Sequence, residues 1–132
     1  MIEYESSQPT LASLLFTTIR THPALGAQIL EHPSLADIRP WVAAHHERPD
    51  GQGYPHGLSG PQLGIEARIL AVADAYEAMT SDRAYRSSIG PAAARAELRR
   101  CAGSQFDAGA VDALLAVLDR DSDRASVLRD VA

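Results

Sequence analysis

The chain has 132 residues, 45% of them hydrophobic and 22% charged, with a net charge of −5. This fits one globular domain that buries roughly two-thirds of its unfolded surface; the charge argues against a general nucleic-acid binder but not against a local arginine pocket. The lone Cys101 excludes an internal disulfide framework, no apolar run approaches the ~20 residues of a membrane span, residues 1–5 lack a secretory leader's pattern, and all 12 basic residues are arginine, so a cytoplasmic protein without lysine chemistry is expected.

Leu11, Leu14, Leu15 and Ile19 recur at helical spacing behind Pro9 and Thr10, which predicts a first helix. Pro23 interrupts it, because the residue before a proline is pushed out of the α region. The same proline opens a short second helix carrying Leu25, Ile29 and Leu30. A third helix is expected over 34–46, with Ile38, Trp41, Val42 and His45 on one stripe. Residues 47–64 are rich in glycine and proline, and connections of this length usually carry function.

A fourth helix over 65–81 places Ile65, Ile69, Val72, Tyr76 and Met79 on one face. Ala67, Leu70, Ala71, Ala75 and Ala78 fill its other faces, so it is expected to run through the domain centre. Gly90-Pro91 opens a fifth helix, with Ala94, Leu98 and Cys101 on one side. Asp107 caps a sixth, striped by Val111, Leu114, Leu115 and Leu118, and 119–132 reads as a frayed terminal helix. No strand-like alternation persists. The fold class is all-α, a single-domain helical bundle over 1–132 with one long functional loop.

Four groups carry the candidate chemistry: His22, the pair His45-His46, and Asp74. The helical neighbours of Asp74 are Leu70, Ala71, Glu77 and Ala78, a mostly apolar setting. A buried ionised carboxylate is costly unless it is paired or bound to a metal. Imidazole nitrogens with a carboxylate suit zinc, iron or manganese. The plainer readings stand beside this one. A lone histidine on an apolar stripe is more often a hydrogen-bonded core residue, and Asp74 could simply accept from an arginine. Adjacent helical histidines point about 100° apart, which suits two metals or one metal and one substrate contact.

The loop reads Glu47-Arg48-Pro49-Asp50-Gly51-Gln52-Gly53-Tyr54-Pro55, with glycines for tight turns and Tyr54 held near the histidine pair. Beyond the fourth helix, Arg83 and Arg86 are three apart. On a helical turn they share a face and could fork onto phosphate oxygens; otherwise they are solvated partners of Asp82 or Glu77.

His45-His46-Glu47, Asp50-Gly51-Gln52-Gly53-Tyr54-Pro55, Ala67-Arg68-Ile69-Leu70-Ala71-Val72-Ala73-Asp74-Ala75-Tyr76 and Ser81-Asp82-Arg83-Ala84-Tyr85-Arg86 together resemble the HD-GYP family. These are HD-superfamily metal-dependent phosphohydrolases that typically hydrolyse cyclic di-GMP. The resemblance covers about 21–118 and includes Thr21-His22-Pro23 and Gln105-Phe106-Asp107. It implies that His22, His45, His46 and Asp74 are metal ligands, that Tyr54 contacts the ligand or shapes its pocket, and that Arg83 and Arg86 hold the dinucleotide phosphates. It also implies a divalent metal, iron or manganese ahead of zinc, that activates water for hydrolysis.

The family's His-Asp dyad, usually followed by a lysine, has no counterpart here, since the sequence contains no His-Asp dipeptide and no lysine. We therefore expect an N-terminally incomplete or degenerate member, holding at most one ion and impaired or inactive as a phosphodiesterase. The alternative is a non-catalytic module that senses a cyclic dinucleotide or docks a protein partner, with a diguanylate cyclase domain as the candidate partner. A homodimer is compatible with either; a nucleic-acid or membrane partner is not expected.

Overall fold

In the computed structural model the described residues are 20, 24, 25, 27–29 and 31–131; over 31–131 the regular structure is four α-helices and two 3-10 turns, and the described residues before it are helical. The helices are α1 Arg39–Ala44, α2 Ile65–Thr80, α3 Pro91–Cys101 and α4 Ala108–Asp130; the 3-10 turns are Pro33–Leu35 and Gly60–Gln62. Among the described residues there is no strand, only three isolated bridges. The all-α expectation holds. No helix among them is long and apolar enough to cross a membrane.

The predicted third helix is shorter than the sequence suggested. Pro40 has no N–H for the carbonyl one turn back, and its ring crowds that carbonyl. The chain therefore forms a 3-10 turn at Pro33–Leu35, bends, and starts α1 at Arg39 with Pro40 in its first turn. His45 becomes the C-cap of α1 and His46 enters the turn beyond it. The predicted first helix over 11–19 lies outside the described residues. Of the second, residues 24, 25 and 27–29 are helical, but Leu25 and Ile29 are exposed rather than turned to a core.

Helix α2 packs against α1, α3 and α4, so it is the hub of the described fold. Val72 joins Leu98, Cys101, Phe106, Ala110, Val111 and Leu115 in the buried cluster, with Tyr76, Met79, Leu114 and Leu118 at its margin. Leu98, Val72 and Val111 are the largest fully buried side chains, and truncating Leu98 to alanine would cost about 2–5 kcal/mol. Two expectations need correction. Ile65 and Ile69 are 53% and 52% exposed, so α2 is not enclosed along its whole length. Periodicity reports which residues share a face, not how much of that face a neighbour covers.

The second correction concerns the C-terminus, where α4 continues to Asp130 instead of fraying after residue 118. Asp107 caps its start by accepting from the Ala110 N–H at 2.9 Å. Further along, Arg95 of α3 meets Asp119 at 2.5 Å, and the Ser122 hydroxyl donates to the Leu118 carbonyl.

Candidate metal centre

Ending α1 at Ala44 aims both histidines of the pair toward the middle of α2. Potential ligand atoms of His45, His46 and Asp74 all lie within 4.8 Å of one another. The His45 Nδ1–H donates to the Val42 carbonyl at 2.6 Å, since a carbonyl can only accept. That bond fixes the tautomer and assigns the lone pair to Nε2, the arrangement common in metal-binding histidines. Metal bonds of about 2.0–2.2 Å put donor atoms on one ion up to about 4.4 Å apart, so a small side-chain rotation completes the triad. Two imidazoles and a carboxylate fit a divalent transition-metal ion.

Asp74 is exposed, not buried as its apolar neighbours suggested. Its flanking residues on the cleft side, Ala71, Ala75 and Ala78, are too small to cover it, so it opens into a cavity. A carboxylate oxygen of Asp74 nonetheless lies within 4.8 Å of a ring nitrogen of each histidine.

The loop after the histidines is tied down at several points. Glu47 is 3% exposed, and its two carboxylate oxygens accept from the His56 N–H at 2.6 Å and the Leu58 N–H at 2.8 Å. An acceptor-only group is thus used to satisfy backbone donors in a loop that cannot pair them itself. Gly53 lies directly on the backbone of residues 46–48: a Cβ there would sit 2.5 Å from the His46 carbonyl oxygen and 2.6 Å from Glu47 Cα. The adjacent Tyr54 N–H donates to that carbonyl at 3.2 Å. As a result the Tyr54 ring stacks on His46, with centroids 5.1 Å apart and planes 14° from parallel.

Arg48 forks onto Asp50 through Nε (3.0 Å) and a terminal nitrogen (2.6 Å), and the Gln52 N–H also donates to Asp50 at 3.0 Å. The Arg48 guanidinium holds the Asp50 carboxyl below its ordinary value. Arg68 secures the loop exit from α2: it donates to the carbonyls of Leu63 and Gly60 and to Asp107, the cap of α4.

These anchors enclose one side of a cavity of about 480 Å³, whose walls include His45, His46, Tyr54, Asp74 and Phe106, together with Arg20, Arg48, Gln52 and Gln105. Burial raises the Tyr54 hydroxyl pKa; Arg20, 5.7 Å from the ring centroid, opposes this and Asp74 adds to it. Tyr54 therefore stays a neutral donor at the cavity edge.

Arg83 and Arg86 are not on a helical turn. They oppose each other across a tight turn, each N–H donating to the other's carbonyl, and both side chains are exposed. Arg83 pairs with Glu77 at 2.8 Å, while Arg86 donates to the carbonyl of Ala78. Neither is among the cavity-lining residues, although Ala78 is. His22 lies outside the described residues. Sequence reasoning gave no role to Arg20, Arg48, Gln52, Gln105 or Glu47. Only Glu47 left a usable signal, a carboxylate placed directly before a loop full of unpaired backbone donors.

The sequence profile of the HD domain family matches residues 1–109. A probable cyclic di-GMP phosphodiesterase of Vibrio cholerae is 37% identical over 109 residues, covering 76% of this chain and 25% of the relative. A cyclic di-GMP phosphodiesterase response regulator of Xanthomonas campestris is 41% identical over 100 residues, covering 74% and 26%. A 3'3'-cGAMP-specific phosphodiesterase of Vibrio cholerae is 49% identical over 49 residues, covering 37% and 11%. The chain thus spans about a quarter of the length of the first two. The profile match, these relatives and the histidine–aspartate cluster beneath an anchored Gly-Tyr-Pro loop agree: the chain belongs to the HD domain family, in its HD-GYP branch.

Proposed function

We propose that this chain binds a cyclic dinucleotide, with cyclic di-GMP the leading candidate, at a divalent metal held by His45, His46 and Asp74 in the bacterial cytoplasm. The observation that carries the reading is the convergence of three donor atoms within 4.8 Å on the wall of a 480 Å³ cavity. Ligand cavities typically span about 300–1,000 Å³, so the size suits a dinucleotide. His22 is the fourth proposed ligand. A bound iron or manganese ion supplies Lewis-acid chemistry and a water activated for attack on phosphorus.

The chain's own groups do the positioning. His45 is oriented by Val42, Tyr54 offers a neutral hydroxyl at the cavity edge, and Arg20 brings positive charge beside it. Arg83 and Arg86 are proposed to reach the phosphates from the rim beyond α2. With no dyad aspartate to bridge a second ion, we propose at most one metal per chain and turnover below detection. The test is incubation of the 132-residue chain with manganese or ferrous iron and cyclic di-GMP. Binding without linear product is the expected result. Robust turnover abolished by Asp74→Ala would overturn the impaired-enzyme reading, and failure to bind would overturn the ligand assignment.

A further inference from the structure

The cavity has a polar wall that the metal chemistry does not use. Gln52 and Gln105 come from separate turns, and both line the cavity with the Arg48–Asp50 pair beside them. Among the described residues neither carboxamide has a hydrogen-bond partner. Their backbones, by contrast, are fixed. The Gln52 N–H is held by Asp50. Gln105 sits in a turn closed by Gly103 N–H donating to Phe106 O at 2.8 Å and Phe106 N–H donating to Cys101 O at 3.1 Å. The two turns are joined to each other by the Asp50 N–H, which donates to the Ser104 carbonyl at 3.1 Å.

This wall carries no excess positive charge. Arg48 is engaged by Asp50 through two of its donors, and the buried Glu47 carboxylate beside it accepts from two backbone N–H groups. Such a surface is a poor phosphate site and a good match for the edge of a nucleobase. A carboxamide offers one acceptor and two donors and can bond a purine edge in pairs. The anionic part of a ligand is drawn instead toward the metal triad.

We infer that Gln52 and Gln105 are specificity-determining residues whose carboxamides read the edge of one purine of the bound dinucleotide while its phosphodiester lies toward His45, His46 and Asp74. The inference rests on the dinucleotide reading proposed above.

The test is calorimetric titration of the full chain, with manganese present, by cyclic di-GMP, 3'3'-cGAMP and cyclic di-AMP. The parent chain is compared with Gln52→Ala, Gln105→Ala and the conservative Gln105→Asn, and each variant's melting temperature is recorded. The parent should prefer one base by about tenfold, and each alanine variant should reduce that ratio about fivefold or more without a change in melting temperature. Partial recovery of the ratio by Gln105→Asn would support direct base contact. If the parent binds but the alanine variants weaken all three ligands equally, or none, the wall does not read bases and this inference alone fails. If the parent binds none of the three, the dinucleotide reading fails and takes this inference with it.

Discussion

Two loops flank α2, and both carry family motif residues, yet they are built in opposite ways. The loop over 47–64 is fastened from within by the buried Glu47 carboxylate, by Gly53 lying on the chain it follows, and by Arg68 at its exit. Its motif tyrosine is consequently locked onto His46. The loop over 81–90 is fastened mainly by exposed bonds: Arg83 to Glu77, Arg86 to the end of α2, and the Ser88 N–H to Asp82. Its motif arginines lie at the surface. Buried groups fix the tyrosine in the cavity wall, whereas exposed ion pairs contribute little to such anchoring, so the arginines could reach a ligand only from the rim.

That contrast can be broken most forcefully at Glu47. Glu47→Ala strands two backbone N–H groups, each costing about 1–3 kcal/mol, so urea unfolding should show a loss of about 4 kcal/mol. A loss under 1 kcal/mol would mean the loop finds other acceptors and the anchoring account is wrong. Gly53→Ala comes next: its Cβ meets backbone that cannot step aside, and overpacking of this kind costs about 1–3 kcal/mol. Its nuclear magnetic resonance spectrum should also show the Tyr54 ring displaced from His46, whereas an unchanged ring environment would contradict the stacking role assigned to the glycine.

The exposed loop should respond far less. Arg83→Ala removes an exposed pair with Glu77 and should change stability by no more than about 0.5 kcal/mol, as measured by the same unfolding curves. The smallest effect is a pH dependence at Asp50. Its carboxyl pKa is lowered below 3.8 by Arg48, so ionisation favours the folded chain. This stabilisation is complete above the unfolded value and disappears as the pH falls through the lower folded value. The stability difference between the parent chain and Asp50→Asn should therefore shrink below about pH 4. A difference that stays constant down to pH 2 would show that the Arg48 pair is not its source.

The helices α2, α3 and the start of α4 were legible because their signals are local: a glycine-proline start, an aspartate cap and a sustained apolar stripe. Pro40 is equally visible, but the continuous stripe of Ile38, Trp41, Val42 and His45 masks the break it makes. The histidine pair and Asp74 were legible as chemistry, since few arrangements justify those types in apolar surroundings. Two things were not legible. The exposure of Asp74 depends on how far α1 stands from α2, which no spacing encodes. The cavity wall of Arg48, Gln52 and Gln105 depends on a hydrogen bond between two turns more than fifty residues apart in sequence, and carboxamides carry no pattern of their own.

The central claim is that His45, His46 and Asp74 together hold one divalent ion. Calorimetric titration of the full chain and of Asp74→Asn with manganese tests it most directly, because Asp74 is exposed and its replacement should leave the fold intact. The account predicts one ion per chain and an affinity lowered about 100-fold or more in the variant, with an unchanged melting temperature in the absence of metal. Equal manganese affinity in the two proteins would contradict it.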